Sequence, residues 1–437
     1  MCHPAVQLAI YWDDLEVVNA LGSRTAVHKL SAFYFKILNL PHYVNSSLGS
    51  IHLFTLCYSS DLKKYSFSRV LEPFLKDLRK LERGVPMVFN GDEMLIRGTI
   101  AAACGDGLAI HELFGLLGPQ CRYFCRQCKI NRDDLLAGNL VCDHLRTREE
   151  YEREMQLVKE NPNVAHFQTE SGLKEDCALH MSEFFHITDS HVFDAMHDFA
   201  HGVAGYTVKL VINHFVENNM FTVEDLNGRI HSYDYGDTDI KNKPSSNFTR
   251  DSLRNVLRDH TLKQKAAQMI LLVRVLPFIL SDWVPDDDPP MRVLLLLVDI
   301  MNIVFAPKLH RDTISELEVF IQEFNDLFKE VFPDAHFINK NRHITHYPRF
   351  IREMGPALHF SCMRFEAKHH DLSRHGSVCC DFPNLPKTLA RLCQIIQAKY
   401  WGDHGPQIIS VGRRQLQWWS KAKSGRSSFR RCFGRVL

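Results

Sequence analysis

The chain has no excess of charge of either sign. Its 437 residues carry 52 Lys and Arg against 51 Asp and Glu, so net charge alone does not recruit nucleic acid or membrane. It also lacks an apolar run long enough to cross a bilayer. The Leu-rich stretch Met291–Ala306 is broken by Asp299 and Asn302 and reads as a buried helix. The N-terminus, MCHPAVQLAIYWDDL, has neither the basic region nor the apolar segment of a signal peptide. Thirteen cysteines, an odd number in a long chain, are not the even framework of a small secreted domain. A reducing compartment, nucleus or cytosol, fits best, and the Asn-x-Ser/Thr matches at Asn45 and Asn247 read as chance. There is no internal repeat and no low-complexity segment.

Hydrophobic residues make up 45% and charged residues 24%, the mix of a soluble globular protein long enough for two to four domains. The charge is unevenly placed. Residues 412–437 hold Arg413, Arg414, Lys421, Lys423, Arg426, Arg430, Arg431 and Arg435 and no acid. Such a tail suits phosphate contacts or nuclear import, or is a solvated end.

Ala5–Tyr11 is a short apolar run bounded by Asp13-Asp14, as an inner strand would be, and Val27–Leu38 and Ile51–Tyr58 are further β-rich runs. The period then changes. Leu71, Phe74, Leu75, Leu78 and Leu81 share one face of a helix that Gly84 ends. Met94–Cys104 returns to strand and stops at Gly105-Asp106-Gly107. Three strands, a helix and another strand open an RNase H-like core, and other α/β folds as well. From about Thr147 to Pro333 the texture is helical, with a capping box at Thr147-x-x-Glu150, apolar helices over Leu262–Leu280 and Met291–Phe305, and a polar linker over Asn227–Ser252. Pro348–Met354 suits a short helix closed by Gly355, and a helix from near Ser361 carries Glu366.

Three acids stand out by placement: Asp13 and Asp106 after strands, and Glu366 in the helical run CMRFEAKHHDL. A two-metal phosphodiester site uses carboxylates because Mg²⁺ takes hard oxygen ligands and shares its shell with water and phosphate. An Asp at a strand end is equally a turn or helix N-cap residue, and Glu366 alone would be a solvated helix face. Around Glu366, Arg364, Lys368, His369 and His370 are candidates to hold phosphates, or an ordinary charged surface.

Cys125-x-x-Cys128, in YFCRQCK, has the spacing of a zinc knuckle, or is a pair of buried thiols. Two completions are open: Cys142 with His144 nearby, or the distant His343 and His346 of RHITHYP. Asp194, His197 and His201, in FDAMHDFAHG, fall on one helical face and form a third cluster, either ligands of a zinc hydrolase or a hydrogen-bonded core group.

The stretches YWDDLEVVNALGSRTAVHKLSAFYFKILNLP, DLRKLERG, GDGLAIHELFG, YFCRQCKI, FDAMHDFAHG and HYPRFIREMGPALHFSCMRFEAKHHDLSR occur in order from about residue 5 to about 375. Together they resemble animal members of the CACTA (EnSpm) group of DNA transposases, distantly similar to the V(D)J recombinase core. The resemblance implies an α/β protein with an RNase H-like core, a mixed sheet with flanking helices, interrupted by a large helical insertion. Residues 1–145 would hold the first part of the core, 146–340 the insertion, 341–400 the His pair and the Glu helix, and 401–437 the basic tail. It implies Asp13, Asp106 and Glu366 as ligands of two Mg²⁺ or Mn²⁺ ions, with Asp13 preferred over its neighbour Asp14. It also implies a structural Zn²⁺ on a CxxC after the second Asp and a His pair before the Glu. Cys125 lies 19 residues after Asp106 and His346 lies 20 before Glu366, which favours Cys125, Cys128, His343 and His346. The expected activity is metal-dependent DNA cleavage and 3′-OH strand transfer by a nuclear protein, with DNA as partner, a homodimer as a possible assembly and no membrane. The chain starts almost at its first strand, without the upstream DNA-binding and dimerisation region of such enzymes. A domesticated or truncated derivative that binds DNA or protein without catalysis is therefore the alternative.

Overall fold

The computed structural model describes residues 5–16, 29–89, 91–254, 256, 259–379 and 384–402. The chain is mixed α/β. Its strands are β1 (Ala5–Glu16), β2 (Lys29–Ile37), β3 (His52–Tyr58), β4 (Val85–Phe89) and β5 (Asp92–Cys104). The helices that matter below are α1 (Ser59–Arg83), α2 (Gly107–Leu113), α3 (Arg148–Glu160), α4 (Ala204–Glu217), α5 (Val223–Ser232), α6 (Ala266–Leu280), α7 (Pro289–Val304), α8 (Arg311–Val331), α9 (Asn339–Ile344), α10 (Tyr347–Met354) and α11 (Met363–Cys379). Among the described residues no helix is long and apolar enough to cross a membrane.

Two compact units divide the chain. Among the described residues, one takes the chain up to Arg126, then Arg146–Val192, then the chain from His359 onward; the other takes Gln127–Leu145 and Phe193–Leu358. One unit boundary falls at Leu145/Arg146, though the stretch after it returns to the first unit, and 340/341 lies inside the second. Arg146–Val192 belongs with the sheet because α3 buries Tyr151, Met155 and Val158 in the same core as Leu8, Ile10 and Ile100. That is a tertiary fact about which apolar stripe meets which.

The first unit is built on a sheet ordered β3-β2-β1-β5-β4. β1 runs antiparallel to β2 and parallel to β5, and lies between them. Its run Leu8–Trp12 is buried without alternation, as expected of an inner strand covered on both faces. β1 does not stop before the acidic pair: it continues through Asp13 and Asp14 to Glu16, paired with β2 down to Lys29. Each fully buried Leu of α1 on this core, such as Leu71 and Leu75, contributes about 1.5–3 kcal/mol. α1 starts at Ser59, twelve residues ahead of the periodic run, and breaks at Ser66, whose φ of 68° is not helical. It ends at Gly84, where φ is +110° and a side chain would be strained. β4, a hairpin partner of β5 at the edge of the sheet, had no counterpart among the sequence expectations. On the far side of β5 from β1, Ala103 makes a single parallel bridge to His191. Gly115 follows α2 where a Cβ would meet the Glu175 carbonyl oxygen at 2.1 Å.

The second unit is helical. A π-helical segment, Met196–Val203, runs into α4. α6, α7 and α8 bury Leu272, Leu276, Leu294, Leu297, Leu317 and Phe324. The polar stretch Asn227–Ser252 is not a bare linker: it begins inside α5, and the Asn227 carboxamide bonds both the N–H and the carbonyl of Phe248 at 3.0 and 2.8 Å. α10 carries Pro348 at its start and is followed by Gly355, as the sequence indicated.

Candidate metal and carboxylate sites

The register of β1 and β5 determines where the first two acids lie. Tyr11 sits opposite Cys104, and Asp13 and Asp106 each lie two residues further on. Neighbouring strands are about 4.8 Å apart, so the two carboxylates leave adjacent strands at the same level. They act on each other electrostatically: the Asp13 carboxyl is raised above the ordinary range first by burial, and the Asp106 charge adds to it. The His369 charge and the Asp14 N–H, which donates to Asp13 Oδ1 at 2.7 Å, work the other way. Asp106 is also the N-cap of α2, its Oδ1 accepting from the Ala109 N–H at 2.6 Å. The N-cap reading of this residue is the one seen directly.

Glu366 enters from α11, in its first turn. The residue before it, Phe365, is fully buried and stacks on Tyr11 with centroids 4.7 Å apart and rings within 6° of parallel. Tyr11 donates its hydroxyl to Asp13 Oδ2 at 3.0 Å. The charges of both Asp13 and Glu366 act on that hydroxyl, which burial first of all raises well above the ordinary tyrosine range. All three acids thus belong to one unit.

Asp14 is separated from this group by strand alternation, which puts consecutive side chains on opposite faces. It accepts from Ser31 and from Ser59 (2.9 Å) and pairs with Lys29 at 3.1 Å. It lines a cavity of about 390 Å³ with Trp12, Phe67 and Glu112. Asp14 is held by its own polar network, which leaves Asp13 as the residue facing α11. Of the four basic candidates beside Glu366, Lys368 is buried, while Arg364 is exposed and donates its Nε–H to the Ser46 carbonyl at 2.5 Å. His370 is exposed. His369 packs edge-on to Tyr11 and Tyr34.

The knuckle cysteines are buried. Cys128 belongs to the second unit, with His346, and Cys125 stands three residues ahead of it in the same loop. The ligand atoms of Cys125, Cys128 and His346 all lie within 4.8 Å of one another, a group able to hold a metal ion such as zinc. Cys142 and His144 do not join it. His343 does not either, a correction to the four-residue expectation. Its Nδ1 instead donates to Asp198 Oδ1 at 2.9 Å, and Tyr347 donates to the other oxygen at 3.2 Å. A carboxylate on Nδ1 directs the Nε2 lone pair outward, the tautomer in which imidazole ligates metals. Arg342, buried beside His343, donates to Cys128 Sγ at 3.3 Å and to the carbonyls of Leu140 and Cys142 at 2.5 and 2.9 Å. A guanidinium on sulfur favours the thiolate. Phe193 stacks on His346 at 5.6 Å and 11°.

The third cluster does not converge as expected. Asp194 accepts from His197 Nδ1 at 2.5 Å, but His201 shares no donor group with them and meets His197 edge-on at 5.9 Å between centroids. His197 and His201 lie in the π-helical segment, which Asp194 precedes. Asp198, in the same motif, was passed over by sequence reasoning, and it is the carboxylate that reaches His343. The basic positions of 412–437 lie outside the described residues. Comparison of the sequence with protein-family models and with curated proteins gives no match.

Proposed function

We propose that the chain is the catalytic core of a DDE-type DNA transposase of the CACTA group, with an RNase H-like fold. What supports this reading is that Asp13 and Asp106 follow parallel neighbouring strands at one level, and that the charges of Asp13 and Glu366 both act on the Tyr11 hydroxyl. The carboxylates fit divalent cations: Asp13 is half-buried beside a second negative charge, and a bound cation would offset that repulsion. Asp13, Asp106 and Glu366 would hold two Mg²⁺ or Mn²⁺ ions, which when bound activate the attacking oxygen and stabilise the leaving one. Water then adds to the scissile phosphorus as the P–O3′ bond breaks, releasing a 3′-OH and a 5′-phosphate. The freed 3′-OH attacks a phosphodiester of target DNA, joining the strands and expelling the target's own 3′-oxygen.

Cys125, Cys128 and His346 would bind Zn²⁺, with His343 the candidate for a fourth position. Such a closed site contributes folding energy rather than chemistry. The Lys and Arg of residues 412–437 would supply phosphate contacts in a nuclear protein.

The test is nicking of supercoiled plasmid by the purified chain in Mn²⁺, with Asp13→Asn, Asp106→Asn and Glu366→Gln as controls. Metal-dependent nicking lost in all three variants supports the assignment. Folded, zinc-loaded protein that neither binds Mn²⁺ nor nicks supports the second reading, a derivative that keeps the fold as a binding module. One observation favours that reading: capping of α2 is by itself sufficient reason for Asp106.

A further inference from the structure

Tyr11 and Asp13 are two apart on β1 and therefore project from the same face. Phe365 and His369 are four apart on α11, with Glu366 between them on the adjoining row. The two faces meet: Tyr11 stacks on Phe365 and lies edge-on to His369, centroids 6.5 Å apart at 81°. On β2, Tyr34 is the cross-strand partner of Tyr11. Its ring meets His369 edge-on at 5.8 Å, and its hydroxyl lies 3.3 Å from His369 Nδ1. His369 is thus boxed by two tyrosines of adjacent strands, and one of these holds Asp13.

We propose that Tyr11 and His369 are positioning residues of the carboxylate site, fixing the Asp13 carboxylate against the helix that carries Glu366. Tyr11 does so in two ways. Its hydroxyl orients Asp13 Oδ2, and its ring sets the height of Phe365 and hence of Glu366. His369 closes the opposite side and fixes the rotation of α11 about its axis. A metal site needs its ligands within about half an ångström of the right geometry, and partners behind the ligands supply that precision. Their loss typically weakens metal binding about 10–100-fold.

This inference rests on the divalent-cation role of the three acids. The experiment measures Mn²⁺ binding to the full chain by titration, alongside the Mn²⁺ dependence of plasmid nicking and the metal-free unfolding midpoint. Tyr11→Phe keeps the stacked ring and removes the hydroxyl; His369→Ala removes the wedge. Both are expected to bind Mn²⁺ about tenfold more weakly. Added Mn²⁺ should restore nicking in Tyr11→Phe, whose metal-free midpoint stays near that of wild type. A residue that merely filled space would leave the Mn²⁺ dependence unmoved. Should Tyr11→Phe not fold, Tyr34→Phe, which frees His369 Nδ1, carries the same test with a smaller shift. Wild-type binding with both variants within twofold of it overturns this inference alone. A wild-type chain that takes up no Mn²⁺ overturns it together with the cation site.

Discussion

The two candidate sites are built on opposite principles. The candidate carboxylate site is set by strand register: Asp13, Asp106, Tyr11 and Tyr34 are aligned because β1 is paired with β2 on one side and β5 on the other, and α11 brings Glu366 to Tyr11 through Phe365. The Cys/His group is made by buried side-chain support, with Arg342 on Cys128 and on two carbonyls of 140–142, and Asp198 behind His343, the candidate for a fourth position. A sheet positions charge with few partners, and Asp13 and Asp106 are left to repel each other. A helical unit has no ladder to do this, and it uses a buried Arg and a buried Asp instead.

That difference can be broken by mutation. The largest effect is expected at the Cys/His group. Cys128→Ala should abolish zinc binding, read as metal content per chain, and remove the cooperative unfolding of the helical unit, since metal binding and folding are one free energy there. Asp198→Asn should weaken zinc about 10–100-fold without abolishing it, read by chelator competition, because the neutral amide holds His343 less firmly. Opposite behaviour is expected at the strands. Asp13→Asn should abolish nicking and yet raise the metal-free unfolding midpoint at neutral pH. The sign follows from the raised carboxyl: a buried acid with a raised value destabilises the fold as pH climbs through the ordinary carboxylate range, and Asn removes that cost.

Asp106→Asn separates capping from charge, because Asn caps as well as Asp while Ala does not. Activity should vanish in both, and only Asp106→Ala should lose about 1 kcal/mol of stability.

The smallest effect concerns pH. Burial lowers His186 to about 3, and His52 to about 4. Both are neutral in the fold and protonate in the unfolded chain below about 6.5. Their contribution is therefore present above that value and lost as pH falls from there towards 3. His186→Gln should flatten this part of the unfolding midpoint against pH.

The sequence showed the acids and not their supports. Asp13 and Asp106 were legible because each follows a short apolar run, and the CxxC by its spacing. The parallel pairing that aligns the two acids is a tertiary choice with no local signal. Tyr11 and His369 look like an ordinary strand aromatic and an ordinary helix residue until Phe365 and Tyr34 are seen against them. Asp198 was passed over because its partner, His343, lies far away in sequence and gives no local signal. β4 was missed although Asn90-Gly91 between two apolar runs is a strong hairpin signal; it carries Pro86, which an edge strand tolerates. The helical unit was foreseen as helical, but its exchange of 127–145 for 146–192 depends on which apolar stripes meet.

One measurement bears most directly on the carboxylate site: the unfolding midpoint of wild type and Asp13→Asn, each with and without Mn²⁺. If Asp13, Asp106 and Glu366 hold cations, Mn²⁺ stabilises wild type and not the variant, and the variant is the more stable of the two without metal. Equal stabilisation of both by Mn²⁺, or none of either, contradicts the assignment.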